Sequence, residues 1–540
     1  MAQRRSRDRR ASATPVSAGE IGLTGANSVA SRIIGVMATL RAYFALQSRR
    51  HWLILILATL VVRGALYFSY PLPVAGRDDN QAAQVFLMDE LASGEFLIGN
   101  VRYNTGYPLV MWPFHALTRL LGANHDRFFL LVQLTVYSAI PFLVYDMMRR
   151  RFNPLTALIT ALTVLLDPFG LQWAHLYLPV WLIALLTVFA LWAAERAWSA
   201  TQRRRLALVA LGALAIGLAI LARLNFAPAA VIFGLSFLLW RHIPRGERIA
   251  LVSLVALITG GILGAYTLLI HFPSTGTFQL NCHSGMTLLA SAVDKRIPVL
   301  ASNGPHSAHY ARLVALPTEK DLSSYSYTFP YWRKPGSWFS PAEVEEYLAQ
   351  DVGDVADKIP VAIHALAPNW FLGPCENSAL QTRVYLEAVA LHPLTLAVEI
   401  GRSIIVMLVQ LPPADGFQNM YLDSVQNIKF LDDGALGFIR AHSALYKGNL
   451  VWRPGIAVFS ALFAPVNLIK LLTPLALALA LWRRDWLLAT VGLLLLACLL
   501  AIALAAHIEP RLYGSLWPMY AILIGWFLAE IAQRAGGRLQ

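Results

Sequence analysis

The sequence predicts an all-α polytopic membrane bundle of about ten spans, with a mixed extracytoplasmic segment between the seventh and eighth. Three observations predict it. The 540 residues are 57% hydrophobic and only 14% charged, whereas a soluble domain carries about 25% charged residues. Mean hydropathy is +0.54. Apolar runs near the length that crosses a bilayer, about 20 residues, recur along the chain. This composition excludes a disordered protein and a secreted disulfide scaffold. On so apolar a chain the net charge of +13 does not indicate a nucleic-acid partner.

The apolar runs fall at 52–70, 128–148, 155–171, 177–194, 206–222, 226–240, 249–270, 455–482, 486–506 and 514–531. Their orientation follows from the connections, because cytoplasmic loops carry the excess of Lys and Arg. Arg149-Arg150-Arg151, the loop from Arg196 to Arg205, the stretch from Arg241 to Arg248, Arg483-Arg484 and the end from Arg534 to Arg538 are all basic. Every second connection therefore belongs to the cytoplasm, and both termini with it. Residues 1–50 read as a disordered basic cytoplasmic tail, not a signal peptide, with an amphipathic helix over 31–47. Residues 51–270 form an N-terminal transmembrane module whose first outer loop is 71–127. Residues 271–454 form the extracytoplasmic segment. Within it, Ser340-Pro341 opens an acidic helix to Asp357, and the apolar run near 391–411 reads as a helix at the interface. Residues 455–540 hold the C-terminal transmembrane helices.

The first outer loop carries the densest chemistry. Gly76-Arg77-Asp78-Asp79-Asn80 follows the first span directly. Residues 81–92 place Ala82, Val85, Phe86 and Leu91 largely on one side, which suits a helix along the membrane surface. Residues 108–121 read as a second such helix. Asp79 taken alone reads as an N-cap at a solvated turn. Two carboxylates at the lip of a membrane bundle are also well sited to deprotonate an incoming hydroxyl.

An acidic pair after the first span comes first, then a surface helix ending in Ser93-Gly94-Glu95. Gly106-Tyr107-Pro108-Leu109 then precedes a helix ending in Leu-Leu-Gly. This order resembles the GT-C superfamily of membrane glycosyltransferases, in particular its protein mannosyltransferase and aminoarabinose transferase branch. Two later segments are similar to the same branch. One is the Gly-Leu-rich span that ends at Arg223. The other is His507-Ile508-Glu509-Pro510-Arg511-Leu512-Tyr513 before the last helix.

The resemblance implies a glycosyltransferase that moves a hexosyl or pentosyl unit from a polyprenyl-phosphate sugar to an acceptor hydroxyl. The acceptor would be a glycan, a lipid or a protein, and transfer would take place on the outer face of the membrane. Asp78 or Asp79 would be the base, and single displacement would invert the anomeric centre. Arg102, Tyr107, Arg223, His507, Glu509 and Arg511 would bind substrate, with Arg suited to phosphate by its planar fork of donors. The branch's Lys-Pro-Pro-Leu appears here as Gly-Tyr-Pro-Leu, so Arg102 would supply the missing charge, and Glu95 is the candidate second carboxylate.

Blander readings stand beside these. Arg223 could simply snorkel to the interface, and Arg511 could pair with Glu509. Arg63, inside the first span, is either functional or held by a partner in the bundle. The resemblance implies no required cofactor, although adjacent carboxylates could hold Mg²⁺ or Mn²⁺. His283, His306, His309 and His364 read as surface residues. Cys282 and Cys375 could pair or stay free, and Cys498 reads as inert. The second functional reading is a transporter or flippase for a lipid-linked or anionic substrate.

Overall fold

The computed structural model describes residues 49–64, 67, 79–93, 106–121, 125–167, 179–282, 284–315, 374–409, 469–505 and 514–537. The chain divides into two compact units after Ile54. Of the first unit residues 49–54 are described, and they are helical. The second unit holds residues 55–540.

Every regular element among the described residues is helical. In chain order they are α1 (Asp79–Ser93), α2 (Gly106–Leu120), α3 (His125–Tyr137), α4 (Ala139–Arg151), α5 (Pro154–Leu165), α6 (Val180–Trp198), α7 (Gln202–Ala222), α8 (Ala227–Ser236) and α9 (Arg245–Tyr266). They continue as α10 (Ser284–Asp294), α11 (Pro305–Ala315), α12 (Pro374–Leu391), α13 (Pro393–Val409), α14 (Thr473–Trp482), α15 (Trp486–Ala505) and α16 (Trp517–Gly537).

Six helical stretches are long and apolar enough to cross a membrane: Phe128–Arg151, Val180–Trp198, Gln202–Ala222, Arg245–His271, Trp486–Ala505 and Gly514–Ile531. Pro154–Leu165, Leu224–Leu239 and Lys470–Trp482 are shorter apolar helices. They lie in three more of the expected runs, and residues 55–64 form a helix in the first run. The short ones have local causes. Asn153 caps α5, its Oδ1 accepting the Thr156 N–H at 2.7 Å, with Pro154 in the first turn. The helix then stops at Leu165, because Asp167 precedes Pro168 and proline disfavours helical backbone at the residue before it. Pro141 likewise marks the junction of α3 and α4, since it has no N–H to donate one turn back.

The arginines of the basic connections meet at one end of the bundle. Arg151 Nε donates to Asp485 at 2.9 Å and its Nη1 lies 3.4 Å from Glu195. Its guanidinium lies 5.6 Å from the ring centre of Trp198 and 5.3 Å from that of Trp486, and these two indoles stack on each other. Asp146 gathers Arg196 at 2.7 Å, Arg149 at 2.9 Å and Arg150 at 3.2 Å. Arg205 pairs with Glu247, and Arg483 with Glu530 at 2.7 Å. One end of α4, α6, α7, α9, α15 and α16 is thereby tied into a single ionic layer.

The described part of the segment 271–454 is helical, with no strand among the described residues. Its expected acidic helix, 341–357, lies outside them. Helices α10, α11 and α12 enclose a core of Leu289, Ile297, Tyr310, Leu313, Val384 and Tyr385. Gly285 is required where α10 crosses α12, because a Cβ there would overlap the backbone of Ser378. Cys282 and Cys375 form a disulfide. Glu387 receives the backbone N–H groups and side chains of His306 and Ser307 at the start of α11. The run near 391–411 is α13, set at 102° to α12 across a short break. It exposes Leu394, Val398 and Ile405. The group is fastened to the bundle through Leu504, whose carbonyl accepts from Ser291 at 3.3 Å and Tyr385 at 3.2 Å. That carbonyl lies in the last turn of α15, where helical carbonyls have no partner of their own.

Arg151→Ala leaves Asp485 and Glu195 without their shared cation in a mostly buried layer, which should cost about 3 kcal/mol. Arg483→Ala, at a pair open to solvent, should cost about 1 kcal/mol or less. Thermal unfolding in detergent reads both. Burial raises the pKa of Glu387, but the bonds from Ser307 and His306 outweigh it and draw the carboxyl from 4.5 down to about 2. A depressed pKa stabilises the fold above the unfolded value, and the gain is lost as pH falls through the folded one. Denaturation between pH 4.5 and 2 should therefore show a smaller loss of stability in Glu387→Gln than in the wild type.

Candidate functional site

The ionic layer defines the opposite end of the bundle. Helix α7 leaves the layer at Arg205 and reaches Arg223 about 27 Å further on. Helix α6 enters the layer at Trp198, so Trp181 stands at the far end. Helix α15 leaves it at Trp486 and ends at Ala505. The span Gly514–Ile531 returns to it at Glu530, so Gly514 also stands at the far end.

At this far end the start of α2 is pressed against the end of α7. A Cβ on Gly106 would overlap the backbone of Leu221 and Ala222, so only glycine permits the approach. Its neighbour Tyr107 is fully buried. The Tyr107 hydroxyl donates to Gln133 Oε1 at 2.6 Å, and the same oxygen accepts from Trp181 Nε1 at 3.1 Å. The two rings meet edge to face at 6.2 Å. Burial raises the Tyr107 pKa well above its ordinary value, which keeps the hydroxyl a donor. Arg223 directly follows Ala222, with extended backbone (φ −161°, ψ 114°) and its N–H still bonded to Ala219 and Ile220. The residues next to two expected site residues, Tyr107 and Arg223, thus lie against each other, while the Tyr107 side chain itself turns to Gln133 and Trp181.

Helix α1 is held against α2 by Asp89, which bonds the buried His115 at 2.6 Å and Arg119 at 3.1 Å. Asp79 is the first residue of α1, one position inside the helix and not the cap before it. Asp78, Glu95, Arg102, His507, Glu509 and Arg511 lie outside the described residues. The last three belong to the connection between Ala505 and Gly514, both at the far end.

A buried polar group sits between the two ends. The Arg63 guanidinium lies 4.3 Å from the ring centre of Tyr137, and the Tyr137 hydroxyl donates to Asp167 at 2.7 Å. Lys470, fully buried, reaches the Met407 carbonyl at 3.4 Å and lies 5.9 Å from the Tyr520 ring centre. Arg63 therefore has its partner in the bundle. Asp167 and Lys470 escaped notice in the sequence, although a carboxylate inside so apolar a run is itself a signal.

The architecture defines a polytopic helical membrane protein with an ionic layer at one end of its bundle and Tyr107 and Arg223 at the other. Residues 106–270, less than a third of the chain, match the model of the dolichyl-phosphate-mannose-protein mannosyltransferase family. The matched segment contains Tyr107 and Arg223. The match supports the resemblance to GT-C membrane glycosyltransferases. Two solved structures are similar to the chain. One is the archaeal oligosaccharyltransferase AglB from Archaeoglobus fulgidus, in complex with an inhibitory peptide and a dolichol-phosphate. Its identity is 13% and its TM-score 0.39, covering 88% of this chain and 50% of that one. The other is ArnT from Cupriavidus metallidurans in the apo state, at 15% identity and TM-score 0.33, covering 88% and 78%. This chain spans about half the length of the oligosaccharyltransferase. Neither likeness carries an argument about this chain, and no curated protein matches it.

Tyr107→Phe removes one of the two donors to a buried acceptor, which should cost about 1 kcal/mol. Gly106→Ala must displace helix backbone, and a larger fall in unfolding temperature is expected for it than for Tyr107→Phe.

Proposed function

We propose that the chain is a glycosyltransferase that moves a sugar from a polyprenyl-phosphate donor to an acceptor hydroxyl at the extracytoplasmic face. The observation that carries the reading is the family match over 106–270. That segment includes Gly106-Tyr107 and Ala222-Arg223, which approach each other through Gly106 and Ala222 at the end of the bundle away from the basic connections. On the positive-inside rule the ionic layer is cytoplasmic, and the Arg223 end faces outward. The six long helices, the three shorter ones and the first run then make about ten spans, with both termini inside.

The chemistry needs little machinery. The donor's leaving group already carries phosphate. The protein must hold that phosphate and stabilise the charge that grows as the glycosidic bond breaks. Arginine suits the task, and Arg223, Arg102 and Arg511 are the cations assigned to it, with Tyr107, His507 and Glu509 around them. Asp78 or Asp79 takes the acceptor proton. The acceptor oxygen attacks the anomeric carbon, the carbon–phosphate oxygen bond breaks on the opposite side, and the lipid phosphate leaves with the bonding pair. The anomeric centre is inverted. No metal is needed for this sequence of events.

The test is transfer by the purified chain from a panel of polyprenyl-phosphate sugars to hydroxyl acceptors. Asp78→Asn or Asp79→Asn should abolish turnover at one of the two positions while the protein inserts and purifies normally. Full activity in both variants would sink the assignment of the base. No turnover by the wild type with any donor would sink the function.

A further inference from the structure

Among the described residues one cluster brings three metal-ligating side chains together: His271, Cys282 and Cys375. All three are buried, and their ligand atoms lie within 4.8 Å of one another. Two of them form the disulfide. A cystine that only staples two segments has no use for an imidazole, yet His271 Nε2 lies 3.6 Å from Cys282 Sγ.

The local structure is built to aim that imidazole. The long helix loosens into a π-helical turn, Thr267–His271, at its end, a feature frequent at functional sites. Gly276 then takes left-handed backbone (φ 68°), which reverses the chain and returns Cys282 to the helix end. His271 Nδ1 faces the Thr277 carbonyl at 3.4 Å and the Thr275 hydroxyl at 3.2 Å. The carbonyl can only accept. The Thr275 hydroxyl has the His271 carbonyl at 2.8 Å and the Thr277 hydroxyl at 3.0 Å to donate to. Nδ1 therefore carries the ring proton, and Nε2 presents a lone pair to the sulfur. A backbone carbonyl on the far ring nitrogen is the arrangement that orients metal-bound histidines. Cys375 is the second residue of α12, where the helix N-terminus favours a thiolate.

We propose that His271, Cys282 and Cys375 form a redox-gated site for a soft divalent metal, zinc being the best fit, and that the cystine is its oxidised, metal-free form. A dithiol reductant supplies two electrons and two protons. The S–S bond breaks, two thiols form, and the reductant leaves as its own disulfide. Zinc then binds the two sulfurs and Nε2, the two thiol protons are released to solvent, and water completes four-coordination. The cystine ties the turn at Cys282 to the start of α12, and the metal ties the end of the span Arg245–His271 to both. The covalent tie is permanent under oxidising conditions, and the metal tie is exchangeable. The proposal stands apart from sugar transfer.

The experiment uses the full chain in detergent with Cys498→Ala, so that only the pair can offer thiols. Cobalt(II) is the probe, with a phosphine as reductant. Once thiol counting shows two free thiols, the reduced chain should take up one Co²⁺ with thiolate-to-cobalt charge-transfer absorption, and Zn²⁺ should displace it. The oxidised chain should show none. His271→Ala should weaken binding by at least tenfold. Its free-thiol count without reductant should stay at zero, which shows that the pair still meets and the fold is kept. Absence of thiolate–cobalt absorption in the reduced chain would overturn the proposal. So would wild-type affinity in His271→Ala.

Discussion

Arg151 is the joint on which this bundle depends. A cation at the edge of hydrocarbon must be matched by charge or by aromatic faces, because water is scarce there. Arg151 has both. Asp485 comes from the segment before α15, Glu195 from α6, and the stacked Trp198 and Trp486 complete the surround. Residues more than three hundred positions apart are thus fixed side by side. The register of the N-terminal helices against the C-terminal pair follows from this contact, with the Asp146 cluster and the Arg205–Glu247 pair extending it around the rim.

Helices of 19 to 21 residues are about 28–32 Å long, so fixing one end fixes the other. Trp181, Arg223 and the Leu504 carbonyl come to the same level as a consequence. Local chemistry then refines their positions. Gln133 collects Tyr107 and Trp181, Gly106 lets α2 lie against α7, and Leu504 receives α10 and α12. The Arg63–Tyr137–Asp167 group fills the depth between the two ends. Its charges are costly to bury and are retained only with partners, so it couples the first span to the chain on either side of Asp167.

Much of the fold is legible in the amino-acid sequence, for identifiable reasons. Apolar length and basic flanks mark the spans, because the bilayer imposes both. The two surface helices were readable within about two residues of their ends, since an acidic start and Gly-Tyr-Pro mark them. Contacts set by tertiary packing were not readable. The pairing of Cys282 with Cys375 joins residues 93 positions apart, and a lone pair of cysteines does not say whether it will meet. Helix α12 was missed because its residues alternate polar and apolar without a strong stripe, and only the core around Tyr310 and Val384 defines its inner face. Tyr107 and Arg223 were singled out because Gly-Tyr-Pro-Leu and a basic span end are local motifs that resemble a known family. Gln133 and Trp181 were not, because an amide or an indole inside an apolar run does not announce its partner. Nor was Asp167, read as one residue in a span that in fact stops two positions earlier.

The central claim is that a lipid-phosphate sugar is held at the Arg223 end and not at the ionic layer. Photo-crosslinking tests it most directly. A polyprenyl-phosphate sugar with a photoreactive group near the phosphate would be bound to the purified chain, irradiated, and its attachment mapped by mass spectrometry. The account predicts labelling of the peptides around Gly106-Tyr107 and Leu221 to Phe226, reduced by unlabelled donor. Labelling confined to peptides of the ionic layer, around Trp198 to Arg205 and Arg483 to Trp486, would contradict it.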